Sequence, residues 1–391
     1  MAHNFHPRAW ARGFLLLALL FVPFGCSWFK STPEPHLVGH LAPLTGPDQA
    51  IGQRSEMAVR MAVEKANQEE KIDGKSVAAI HGDTGSDPNA MQFQATRLLA
   101  VNNVKALIGV YYSAQLDSVL PLLQAHQIVL VTPSGGLATG TSRLIYPVGL
   151  AAKERGKHLA KFAVEEKKIT DIVPVIDLSN PLFSSISEAF ATEFRHDDRK
   201  LQSEVTFSKP AEFPELTNRI FDSKPKTILF CGKAGDLLNL RASLKQKGLP
   251  DDVPWLFGGE EEEPVLQSDP ARSQGVFFTS AFTLEDKAEG LQAFVTNFQS
   301  RISQPPDVFV VLSNDAANLL FSAARRAKSF KTESPSKFTD QLSKPQEFKF
   351  NCLTGGFRLE KDGTAVRTVY VLQMERGKSK LAKSYPVPKI E

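Results

Sequence analysis

At 391 residues and 42% hydrophobic, the chain can bury more than one core, and its length points to two domains or more. Its 46 basic and 43 acidic residues nearly balance, at a net charge of +3. No basic run interleaved with aromatics follows a phosphate backbone, so nucleic acid is not an expected partner.

At the N-terminus, Arg8 and Arg12 precede the apolar run "GFLLLALLFVPFG". It is shorter than the roughly 20 residues of a spanning helix and fits the apolar core of a secretory signal. The run stops at Cys26, and "VPFGC" resembles a bacterial lipoprotein processing site: Gly25 and Cys26 fit, while Pro23 stands where Leu is usual. The expectation is a signal peptide over 1–25 and a lipid on Cys26, with ordinary secretion and an uncleaved anchor as alternatives. All three export the chain. Residues 26–36, rich in Ser, Thr and Pro, read as a tether.

Beyond it, short β-rich runs alternate with amphipathic helical patterns, the arrangement of parallel sheets flanked by helices. "HLVGHLA" leads through the turn-rich "PLTGPDQAIG" into a helix on which Ala58, Ala62 and Ala66 recur every fourth residue. "VAAI" precedes a helix that Asp87 can cap with Pro88 in its first turn. "VKALIGV", with the helix "SAQLDSVLPLLQAH", and "IVLVTP", with the loop "SGGLATGTS", complete a first α/β series. A second runs from "GKHLAKFAVEE" through the strands "DIVPVID", "SEVTF", "TILFCG" and "VPWLFGG". After "GVFFTSAF" come two more helical stretches, and then "FKFNCLTGGFRLE" and "TVYVLQMERG" read as a hairpin bent at Asp362-Gly363. Cys231 and Cys352 read as buried thiols, with a disulfide as the alternative.

In open parallel sheets, ligands meet loop amides and helix N-termini beyond the carboxyl ends of the strands. "PLTGPDQAIG", "VYYSAQ" and "TPSGG" are such loops, and Ser113 reads as a helix N-cap whose neighbouring amides can hold a carboxylate. Capping alone is the competing reading. Glu260 to Glu263 follow a strand and place a carboxylate where an ammonium group could pair, or else form a solvated helix start. G-x-S-x-G, H-E-x-x-H, C-x-x-C and G-x-G-x-x-G motifs are missing, and the eight His are scattered. No catalytic residue, metal or cofactor is expected, and the chain reads as a binder.

These pieces resemble the periplasmic solute-binding proteins of ABC transporters of the leucine/isoleucine/valine type, from about residue 36 to residue 377. The matching segments are "APLTGPDQAIGQ", "AVEKANQEEKIDGK", "DTGSDPNAMQFQATRLL", "VKALIGVYYS", "IVLVTPSG", "SNDAANLLFSAARRA" and "LTGGFRLEKDGTAV". The resemblance implies an α/β fold of two Rossmann-like lobes joined by a three-crossing hinge, with the ligand cleft between them. Crossings are expected near Pro147, near Gly275 and between Lys331 and Phe348. Lobe I is then residues 37–147 and 276–335, and lobe II residues 148–275 and 336–391.

The same resemblance implies that Ser113, with Tyr112 beside it, contacts an amino-acid carboxylate, that Ser134 and Gly136 complete that site, and that Glu260 partners the α-ammonium. It implies a small polar solute, amino acid or amide-like, passed by a monomer in the periplasm or cell envelope to ABC permease subunits. A sensory module and a structural lipoprotein with a decayed pocket are the alternatives. The departures lie in the pocket: Pro181 and Leu182 replace a Tyr-Gly pair, Lys233 or Ala234 an aromatic, Gly136 a Thr, and Ile51 a Tyr.

Overall fold

The computed structural model describes residues 1, 33–135, 143–259, 262–332 and 336–387. Cys26 and the signal segment lie outside the described residues, as do Gly136 and Glu260. Met1–Pro33 and Glu34–Glu391 are separate units, and the architecture below is that of the second. Among the described residues, no helix is long and apolar enough to cross a membrane.

The first series folds in chain order as β1 (His36–Ala42), α1 (Gln49–Gln68), β2 (Val77–Asp83), α2 (Pro88–Thr96), β3 (Leu107–Gly109), α3 (Ser113–His126), β4 (Leu130–Thr132) and β5 (Ile145–Pro147). Among the described residues its strands form a five-stranded parallel sheet in the order β2-β1-β3-β4-β5. Alternate residues of the short apolar runs enter cores on opposite faces, Val38 and Ile108 on one, Leu41 and Leu107 on the other. Ala58, Ala62 and Ala66 form the buried stripe of α1, as their spacing requires. Asp87 caps α2, its carboxylate accepting from the Ala90 amide at 2.8 Å, with Pro88 at the first helical position.

The second series runs α4 (Ala152–Glu165), β6 (Asp171–Asp177), α5 (Pro181–Phe194), β7 (Lys200–Leu201), β8 (Val205–Phe207), α6 (Phe213–Asp222), β9 (Ile228–Cys231), α7 (Ala234–Gln246), β10 (Trp255–Phe257), α8 (Glu263–Ser268), α9 (Pro270–Ser273) and β11 (Phe277–Ser280). Next come α10 (Glu289–Ile302), α11 (Val308–Ala327), α12 (Lys337–Ser343), β12 (Asn351–Cys352), β13 (Gly355–Leu359), β14 (Ala365–Arg367), β15 (Val369–Glu375) and β16 (Lys378–Tyr385). The second sheet has the order β16-β15-β11-β10-β9-β6-β7, with β8 also on β6. It is parallel from β6 to β11 and antiparallel where β15 and β16 join.

Three expectations are corrected here. Phe277–Ser280, assigned to lobe I by the boundary at 276, is β11 of the second sheet, paired with β10 and β15. Residues 336–365, assigned to lobe II, pack into the first core, where Phe338, Leu342, Phe357 and Ala365 join α1 and α11. The chain re-enters the second sheet only at Val369, so the third crossing lies at Arg367–Val369 and not between Lys331 and Phe348. The hairpin bends at Asp362-Gly363 as read, yet only Ala365–Arg367 pairs with β13, while "VYVLQME" leaves for β11 and β16.

Cys231 and Cys352 are free, buried thiols in different cores. Burial raises both thiol pKa values, which suppresses the reactive thiolate. Ellman's reagent is expected to leave both unmodified in the native chain and to reach both in denaturant. Modification of either within minutes under native conditions would contradict this packing.

Candidate functional site

The turn-rich loop after β1 is pinned from the neighbouring strand. The Leu44 and Thr45 amides donate to Asp83 Oδ1 at 2.9 and 3.1 Å, and the Thr45 hydroxyl to Asp83 Oδ2 at 2.7 Å. Gly85 adds a fourth donor at 2.9 Å. Desolvation raises the Asp83 pKa, but the hydrogen bonds from Thr45, Gly85 and Leu44 outweigh it and leave it lowered. The Leu44 and Thr45 amides are therefore already taken up by an internal carboxylate.

The loop after β3 is the strained one. Gly109 has φ 121° and Val110 φ 62°, a left-handed backbone that a β-branched residue rarely adopts. Thr132 at the end of β4 ties this loop to the next, its hydroxyl donating to Val110 O at 2.6 Å and accepting from the Ser134 amide at 3.0 Å. Tyr112 packs edge-on to Phe309 of α11, with ring centroids 5.9 Å apart. Ser113 is the first residue of α3 and Tyr112 the cap position, so the expected Ser113 N-cap is corrected by one residue. Tyr112, Ser113 and Ser134 thus gather at the carboxyl end of one sheet, and the latter two are buried. Gly135 is held by space: a Cβ there would lie 1.7 Å from Leu150 O, on the chain leaving the first crossing.

Opposite stand the loops of the second sheet. Asn180 caps α5 by accepting from the Leu182 amide at 3.0 Å, and its Nδ2 donates to Ser113 Oγ at 3.5 Å across the cleft. Pro181 and Leu182 therefore open a helix. Lys233 is the cap position of α7, and the Ala234 amide donates to Glu262 Oε2 at 2.6 Å, so one carboxylate of the acidic run closes a helix end. In the first turn of α7, burial and the nearby Asp177 raise the Asp236 pKa. Buried Arg155 ties the first crossing to the loop after β10, donating from Nε to Leu150 O at 3.1 Å and from Nη1 to Gly259 O at 3.2 Å.

A groove of about 420 Å³ opens between the two halves, with Arg54 and Asp307 on one wall and Glu263 and Ser379 on the other. Arg54 Nη1 meets Asp307 Oδ2 at 3.1 Å, and Asp307 caps α11. Asn180, Arg155 and the Arg54–Asp307 pair were not singled out in the sequence; the "SNP" before a helical pattern was a readable cap signal for Asn180. Among the described residues, no group of three or more His, Cys, Asp or Glu is placed to hold a metal. The arrangement offers hydroxyls and a helix N-terminus from one side and amide and carboxylate groups from the other, suited to holding a small polar molecule.

Residues 36–379 match the periplasmic binding protein family. The leucine-, isoleucine-, valine-, threonine- and alanine-binding protein of Pseudomonas aeruginosa is 21% identical over 328 residues, covering 81% of this chain and 86% of that one. The crystal structure of a leucine-binding protein of Thermotoga maritima superposes with a TM-score of 0.78 at 20% identity, covering 90% of this chain and 98% of that one. A solute-binding protein of R. palustris in complex with benzoate gives a TM-score of 0.73 at 19% identity, covering 92% and 98%. With the matching span running from the first strand into the last, the chain belongs to the periplasmic binding protein family.

Proposed function

We propose that the chain is an exported receptor that captures a small carboxylate-bearing solute, amino acid or amide-like, between its lobes and delivers it to an ABC permease, held to the membrane through a lipid on Cys26. The observation that carries this reading is Ser113 at the start of α3, facing Asn180 of the opposite lobe at 3.5 Å. A guest there touches both halves, and contact with both is what makes it favour a closed over an open state.

The amino acids named for the Pseudomonas relative and the benzoate of the R. palustris protein share a carboxylate. The first-turn amides of α3 suit that group. In the second lobe Lys233 or Ala234 stands where the family has an aromatic and Pro181 and Leu182 where it has Tyr-Gly, while Asn180 caps α5 and Asp236 lies in the first turn of α7, which favours a polar remainder over an aliphatic one.

Thermal melting of residues 30–391 against a panel of amino acids, amides and small acids tests the reading. A ligand at 100 times its dissociation constant adds about 2.7 kcal/mol to stability. For a hit, Ser113→Ala and Glu260→Gln are each expected to weaken binding by about 1.5–3 kcal/mol, the range for hydrogen bonds to charged groups. A flat response across the panel removes the capture reading; unchanged affinity in both variants removes these two contacts.

A further inference from the structure

Tyr111 follows Val110, is buried, and packs in the core of lobe I against Phe309. Its hydroxyl lies 2.8 Å from His40 Nε2 and accepts from Ser313 Oγ at 3.3 Å. His40 Nδ1 lies 2.9 Å from His81 Nδ1. A contact between two ring nitrogens holds one proton. In the tautomer in which Tyr111 O–H donates to His40 Nε2, His40 Nδ1–H donates to His81 Nδ1.

His81 is the outer end of this chain, its side chain 10% exposed, while His40 is fully buried. A proton from solvent adds to His81 Nδ1, the atom that accepts from His40. The chain must then break, or reverse and carry a cation in a dry site.

The surroundings oppose that cation. His81 faces Glu56 of α1 at 4.0 Å, and this carboxylate favours a cation on the ring, but Glu56 is also engaged by Arg60 of the same helix, and burial outweighs its pull. Arg60 disfavours a charge on either ring. Arg97 donates to the His81 backbone carbonyl, and Tyr111 is faced by Ser55, Ser313 and Asp307. Burial lowers the pKa of both histidines and pushes the Tyr111 phenol up to about 12, so the neutral chain is the stable one at neutral pH.

We propose that His40 is a positioning residue for solute capture: through Tyr111 it holds the Gly109–Ser113 loop in the shape that presents Ser113 and the start of α3, and the hold fails when His81 takes up a proton. The proposal deepens the capture reading and rests on it for its functional consequence. Solute affinity then falls in acid although neither histidine touches the solute.

The test uses the full chain. Amide hydrogen exchange of the 109–115 segment without ligand, corrected for intrinsic rates, is expected to lose at least fivefold protection between pH 7.5 and pH 4.5, a window that reaches below the ordinary histidine value because burial lowers that of His81. His81→Asn keeps an acceptor near the Nδ1 position but cannot titrate, so it is expected to keep the protection at both pH values. Tyr111→Phe is expected to be unprotected at both. In wild type, the midpoint of the loss must coincide with the His81 ring titration followed by NMR, a readout that needs no variant to fold. L-leucine, as the binding probe, is expected to bind at least fivefold more weakly at pH 4.5 than at pH 7.5 in wild type and equally at both pH values in His81→Asn. An exchange profile that is flat, persists in His81→Asn or departs from the His81 titration overturns the proposal. Absence of leucine binding at either pH, with the exchange results as expected, instead counts against the amino-acid reading and leaves the positioning role standing.

Discussion

Asp315→Asn is expected to cost about 3–5 kcal/mol of unfolding free energy, because it leaves the Arg367 guanidinium buried without its counter-charge. The two side chains are 2% and 0% exposed, and Arg367 Nη2 meets Asp315 Oδ2 at 3.0 Å. Arg367 also donates to Val148 O and, at 2.8 Å, to Thr354 Oγ1, while the Leu353 amide donates to Asp315 Oδ1 at 2.8 Å. One ion pair thus joins the first crossing at Val148, the buried face of α11, and the third crossing that begins at Arg367.

Removing one partner differs from removing both. The double variant Asp315→Leu with Arg367→Met leaves no buried charge and is expected to recover part of the loss. It still strands the Val148 carbonyl and the Leu353 amide, at about 1–3 kcal/mol for each buried group left unmet. Urea unfolding followed by circular dichroism reads both: a lower midpoint at unchanged slope for Asp315→Asn, and a midpoint between that and wild type for the pair. If Asp315→Asn unfolds with wild type, Arg367 is reached by water and the three segments are not held together as described.

The alternation of sheet and helix was readable because the inner parallel strands, such as β3, β4, β9 and β10, are short apolar runs buried on both faces, and such runs stand out between amphipathic helices. What a run cannot reveal is its partner. "FFTS" is equally apolar in either sheet, and only pairing with Leu256 and Tyr370 assigns it to the second. "KSKLAKSY" went unread because β16 is an edge strand whose alternate residues face solvent, and its Lys residues resemble a polar tail.

That Tyr112, Ser113 and Ser134 stand at the carboxyl ends of strands was legible, since each follows a short apolar run. Glu262 shows the opposite: nothing in a run of four acids tells which one closes the end of α7, since that depends on Ala234, 28 residues earlier. Asn180 was passed over because its neighbours Pro181 and Leu182 were weighed against a family pattern and not as the helix start they form.

Gly52→Ala is expected to destabilise the chain by about 3 kcal/mol, the upper end for forcing an atom into a packed site, even though Ala is the better helix former. A Cβ at position 52 would lie 2.0 Å from Pro43 O and 2.4 Å from Pro43 C. Both are backbone atoms, so no side chain can swing aside; either α1 retreats or the end of β1 moves and pulls Leu44 and Thr45 off Asp83. Gly290, in the first turn of α10, is the control: a Cβ there meets nothing within 4 Å. Gly290→Ala is expected to gain about 0.4–1 kcal/mol by restricting the unfolded chain. Opposite signs from one chemical change isolate the close approach as the cause, measured by urea unfolding of both variants. If Gly52→Ala proves neutral, α1 does not start against β1, and the turn chemistry of residues 43–52 is not there to let a helix begin within touching distance of the strand it leaves.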